Sequence, residues 1–145
     1  MRRHHFPKVM ASSPMTMKTL LTVTAVVEAG AGLALFGVPS VTALLLFGAP
    51  LDSPAAVGLA RVGGLAILAL AIVCWLAGSD PHSPVARSLI AAMLFYNFAV
   101  AGVLAFASFG DGAHGALLSP AVIFHMAMGS WCVATLIEKK TGVLG

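Results

Sequence analysis

A twenty-residue apolar run, Thr19 to Val38 (TLLTVTAVVEAGAGLALFGV), constrains this chain more than any other feature. At ~1.5 Å rise per residue it covers the ~30 Å hydrocarbon core of a bilayer. One carboxylate, Glu28, sits near its middle. An acid at that depth is costly against lipid, so other helices of the chain must enclose it. Composition agrees: 59% of the residues are hydrophobic and 9% charged, whereas roughly a quarter are charged in soluble domains. The expected fold class is all-α, an integral membrane four-helix bundle forming one domain.

Residues Met1 to Lys18 are basic and broken by prolines, and read as a tail. The run that follows is long for the apolar region of a secretory signal and carries Glu28, so it reads as a retained first span over 19–38. Pro39 ends it. The next piece, SVTALLLFGAPL (Ser40 to Leu51), is too short to cross a bilayer and reads as an extension or a segment lying at the outer surface. Ser-Pro pairs then mark helix starts, the serine as cap and the proline at the first helical position. Ser53-Pro54 precedes a second span at 55–77 and Ser83-Pro84 a third at 85–109. Ser119-Pro120 accompanies a fourth at 117–137, so the four-span domain covers 19–140 and a short tail 141–145. The turns GSDPHSP and GDGAHG separate the last three spans.

The eight Lys and Arg fix the expected orientation. Arg2, Arg3, Lys8, Lys18, Arg87, Lys139 and Lys140 fall on one side of a four-span chain, while the other side's connections hold only Asp52 and Asp111. The positive-inside rule then places both termini in the cytoplasm. Trp75 and Trp131 lie near the cytoplasmic ends of their spans, where aromatic anchors sit.

The eighth cation, Arg61, lies inside the second span. Each span thus carries one strongly polar residue: Glu28, Arg61, Asn97 and His125. Counted from the outer ends of their spans, they lie ~15, ~9, ~18 and ~12 Å deep, in one layer. A lone charge in hydrocarbon costs ~2.5–3.5 kcal/mol, and a Glu28–Arg61 ion pair would remove much of that. Helical spacing sets Thr24 and Gly32 on the face of Glu28, Gly64 on that of Arg61, and Gly129 on that of His125. These small residues would let the backbones approach closely. The layer reads either as a structural network or as a pocket where Glu28 or His125 exchanges a proton or grips a ligand.

Other chemistry finds no support in the sequence. There is no HExxH, CxxC, GxSxG or Walker A pattern, so no metal site or cofactor is expected and nothing specifies an enzyme. A haem held by two histidines would need a second intramembrane His, since His82 and His114 fall in turns. No basic stripe interleaved with aromatics marks nucleic-acid binding.

The segments VEAGAGLALFGVP, FGAPLD and ARVGG resemble those of small, uncharacterised four-helix bacterial membrane proteins, loosely DoxX-like. That resemblance implies the fold and a location in a bacterial inner membrane, and it adds a redox or quinone-linked membrane subunit as one reading. The first span is also similar to that of small multidrug-resistance transporters, whose helix-one glutamate is the proton and drug site; Glu28 would be its counterpart. The expected function is a non-enzymatic accessory or small-ligand-binding membrane protein using the polar layer. The alternative is a proton-coupled transporter acting as a dimer. Expected partners are the lipid bilayer and either a second copy or another membrane protein.

Overall fold

A computed structural model describes residues 14–141. They form five helices: α1 (Pro14–Gly37), α2 (Pro39–Phe47), α3 (Pro54–Ala77), α4 (Pro84–Phe109) and α5 (Leu118–Thr141), with no strand among the described residues. Four helices are long and apolar enough to cross a membrane, over Met17–Gly37, Pro54–Ala77, Pro84–Phe109 and Leu118–Ile137. The chain is therefore an all-helical protein with the makings of an integral membrane protein.

Local chemistry sets the boundaries. Ser53 and Ser83 cap α3 and α4, their hydroxyl oxygens accepting from the Ala56 and Ala86 N–H groups at 3.2 and 3.1 Å. Proline follows each cap, where the missing N–H is not needed. α5 begins at Leu118, so Ser119-Pro120 lies within its first turn rather than before it. α1 starts earlier than the apolar run: residues 14–18, expected as tail, are helical, and the rest of that tail lies outside the described residues. The same holds for the C-terminal tail beyond Thr141. Residues expected to form an extension or a surface segment form α2, which ends at Gly48 in the left-handed region (φ 83°).

α1 packs chiefly against α3, and α4 against α5. Both pairs are antiparallel. Gly32 meets Gly64 and Leu68, Leu35 meets Gly63, and Leu21 meets Gly78. In the second pair Phe98 meets Gly129 and Arg87 meets Leu136. At the Gly32–Gly64 crossing a Cβ on either glycine would lie 2.8 Å from the other's carbonyl oxygen, so the backbones touch.

The apolar core lies toward the end where α1 begins. Leu20, Leu21 and Ala25 of α1 meet Cys74 of α3, Ile90 and Met93 of α4, and Met128 and Cys132 of α5. Both cysteines are buried free thiols. At the opposite end α2 closes over the chain. The Leu117 N–H donates to the Leu45 carbonyl at 2.8 Å, and Gly115 lies against the Leu45 and Leu46 backbone with no room for a side chain. Of the four spans, α3 is the least covered by the rest of the chain.

Candidate functional site

Just beyond the apolar core, toward α2, three helices bring polar side chains together. Glu28 is one of four buried polar or charged residues among those described, with Thr24, Asn97 and Thr135. Along α1 the buried positions Leu20, Leu21, Thr24, Ala25, Glu28 and Gly32 recur every three or four residues. This periodicity makes one inward stripe and carries the carboxylate inward with it.

The carboxylate meets a hydroxyl. Tyr96 of α4 donates from its Oη to Glu28 Oε2 at 3.1 Å. The next residue, Asn97, is 2% exposed and donates from Nδ2 to the Met93 carbonyl one turn back, at 2.8 Å. That bond fixes the amide's orientation, because only the Nδ2 side can donate. Asn97 Oδ1 consequently faces His125 Nδ1 of α5 at 3.0 Å. An amide oxygen can only accept, so His125 carries its hydrogen on Nδ1, leaving Nε2 as the acceptor of the neutral ring. The Tyr96 and Phe124 rings both meet the imidazole edge-on, with centroids 5.9 Å away. Two hydrogen-bonded pairs, Glu28–Tyr96 and Asn97–His125, thus share one layer, tied by adjacent residues of α4 and by the Tyr96–His125 ring contact.

Glycines shape the enclosure. Gly129, one turn beyond His125, admits the Phe98 ring: a Cβ there would lie 3.0 Å from it. Gly32, one turn beyond Glu28, holds α1 against α3 at Gly64. Thr24 is buried one turn before Glu28.

Arg61 does not join this layer. It lies on the exposed face of α3, and among the described residues no ion pair links it to Glu28. The reason is register. The α1–α3 contacts set Glu28 opposite Ala71 and Arg61 opposite the C-terminal end of α1, roughly 15 Å further along the axis. α3 runs beyond the end of α1, so depths counted from each span's own end do not share an origin. Helical side chains also lean toward their N-terminus, which directs Arg61 away from Glu28.

Sequence reasoning missed Tyr96. Two signals were available: it is the chain's single tyrosine, and it lies mid-span rather than at the interface where tyrosines collect. Buried side-chain polar atoms among the described residues all have partners. No group of three or more His, Cys, Asp or Glu that could hold a metal occurs among them. No family model matches the chain, and no curated protein or solved structure matches it at a significant level.

Proposed function

We propose that this is a small multi-pass integral membrane protein of a bacterial inner membrane, its helices bundled and its termini cytoplasmic. In this reading the Glu28–Tyr96–Asn97–His125 layer binds a small ligand, the simplest being a proton. One observation carries it: Glu28 is buried within an apolar span, and its partner is a neutral hydroxyl rather than a cation. A carboxylate held there has no counter-charge from Arg61, and a bound proton or small cation supplies one. Tyr96 can relay a hydrogen, since its hydroxyl both donates and accepts. The surrounding Tyr96, Phe98 and Phe124 rings would suit an organic cation as well.

Infrared difference spectroscopy of the carboxyl band, with Glu28→Gln as the assignment control, tests this directly. A Glu28 band that changes between its protonated and ionised forms with pH, or on adding a lipophilic amine, is the expected result. A band indifferent to both would leave the layer a structural network only.

The transporter reading gains support from α3, which the rest of the chain covers least and which would suit a second copy. Proton release on adding lipophilic cations to reconstituted protein, together with cross-linking through α3, would favour it. Cation binding to a monomer without proton release would leave the simpler binding role.

A further inference from the structure

A second polar feature lies far from Glu28, where α4 begins and the last turns of α5 pass it. Arg87, in the first turn of α4, is half-buried, and its Nη2 donates to the Leu136 carbonyl of α5 at 3.3 Å. This contact holds the side chain across the helix pair. Arginine has five N–H donors, and among the described residues this one engages a single carbonyl. Beside it runs a groove of about 420 Å³ lined by Arg87, Ser88, Ala91, Leu136 and Ile137. The groove mixes chemistries: a guanidinium and a hydroxyl from α4 lie level with the apolar Leu136 and Ile137 of α5, and Ala91 continues the wall one turn further along α4.

Arg87 is the one charged residue among the described ones that line the groove. By the span boundaries Pro84–Phe109 and Leu118–Ile137, this place lies at the edge of the membrane-spanning region. Phospholipid phosphates occupy that depth, and basic grooves between helices there suit anionic headgroups.

We infer that the Arg87 groove is a binding site for an anionic phospholipid: its phosphodiester meets Arg87 and Ser88 beside Leu136 and Ile137, and one acyl chain leaves the groove past Ala91. The inference rests on the membrane reading above but not on any role for Glu28. A lipid fits better than free phosphate because the apolar wall has nothing to offer an inorganic ion. It fits better than a zwitterionic lipid because, among the described residues, the groove lining offers a cation and no carboxylate to meet an ammonium group.

The test is native mass spectrometry of the full chain released from detergent, loaded with phosphatidylglycerol or with phosphatidylcholine of the same chain length. The wild type should retain phosphatidylglycerol at least about fivefold better, the scale set by one basic residue at a membrane surface. Arg87→Gln should reduce retention to the phosphatidylcholine level, and Arg87→Lys should keep part of it. Ala91→Trp, which fills the groove and spares the guanidinium, should also release the lipid. It takes the place of Arg87→Gln if that variant loses its helical circular dichroism. Equal retention of the two lipids, or unchanged retention in folded Arg87→Gln and Ala91→Trp proteins, would overturn the inference. So would displacement of the lipid by millimolar inorganic phosphate. A failed Glu28 titration would leave this site untouched, so the two proposals fall separately.

Discussion

Replacing Gly64 by alanine probes the contact that sets the register of α1 against α3, and with it the separation of Arg61 from Glu28. A Cβ at Gly64 would lie 2.7 Å from the Phe36 nitrogen, 2.8 Å from the Gly32 carbonyl oxygen and 3.1 Å from the Leu35 carbonyl carbon. All three are backbone atoms of α1, so no side chain can swing aside. Ordinary contact begins near 3.4 Å, and the helices must part by roughly 0.7 Å at the crossing. A radial gap of ~0.5–1 Å forfeits a quarter to a half of each van der Waals well it opens. Between membrane helices packing of this kind is a main source of attraction, with no hydrophobic effect to replace it. The expected loss is ~1–3 kcal/mol, typical of overpacking, or roughly 5- to 150-fold in the folding equilibrium.

The control lies on the same helix. A Cβ at Gly58 would meet nothing within 4 Å, so Gly58→Ala should leave stability unchanged or raise it by up to ~1 kcal/mol, the helix-propensity gain of alanine over glycine. Reversible unfolding in mixed micelles with increasing sodium dodecyl sulfate, followed by circular dichroism, compares the two. A Gly64→Ala protein as stable as Gly58→Ala would refute the backbone contact and the register derived from it.

Three further outcomes follow from the polar layer. Tyr96→Phe removes the donor to Glu28 Oε2; the Glu28 carboxyl band should shift, and stability should fall by ~1–3 kcal/mol if no water replaces the hydroxyl. Asn97→Leu strips His125 Nδ1 of its acceptor at a cost of ~0.6 kcal/mol, up to ~1.7, and the His125 Hδ1 resonance should move or vanish in the proton spectrum. Glu28→Gln and Arg61→Met should be additive within ~0.5 kcal/mol in the same micelle assay, because the two residues lie well apart. A coupling above ~1 kcal/mol would restore the ion pair.

What the sequence reveals here is what depends on the chain near each residue. Four spans follow from the length of the apolar runs, and the α3 and α4 starts follow from Ser-Pro pairs whose hydroxyls do cap the first turn. The inward direction of Glu28 follows from the three-and-four spacing of its stripe. What a span's own sequence does not carry is how far one helix slides along the next. For α1 and α3 that offset is set where Gly32 meets Gly64, and it depends on α2 folding back before α3 begins. Measured from separate helix ends, Glu28 and Arg61 look level; measured along the crossing, they are about three turns apart. Electrostatic attraction could select a pairing only among registers that packing allows, and here backbone contact between two glycines sets the register. Tyr96 then reaches the carboxylate from α4, so a neutral hydroxyl fills the place that charge arithmetic gives to a guanidinium. In a membrane interior that exchange matters: an ion pair would lock Glu28 in its charged form, whereas a hydroxyl can hydrogen-bond to it with or without its proton.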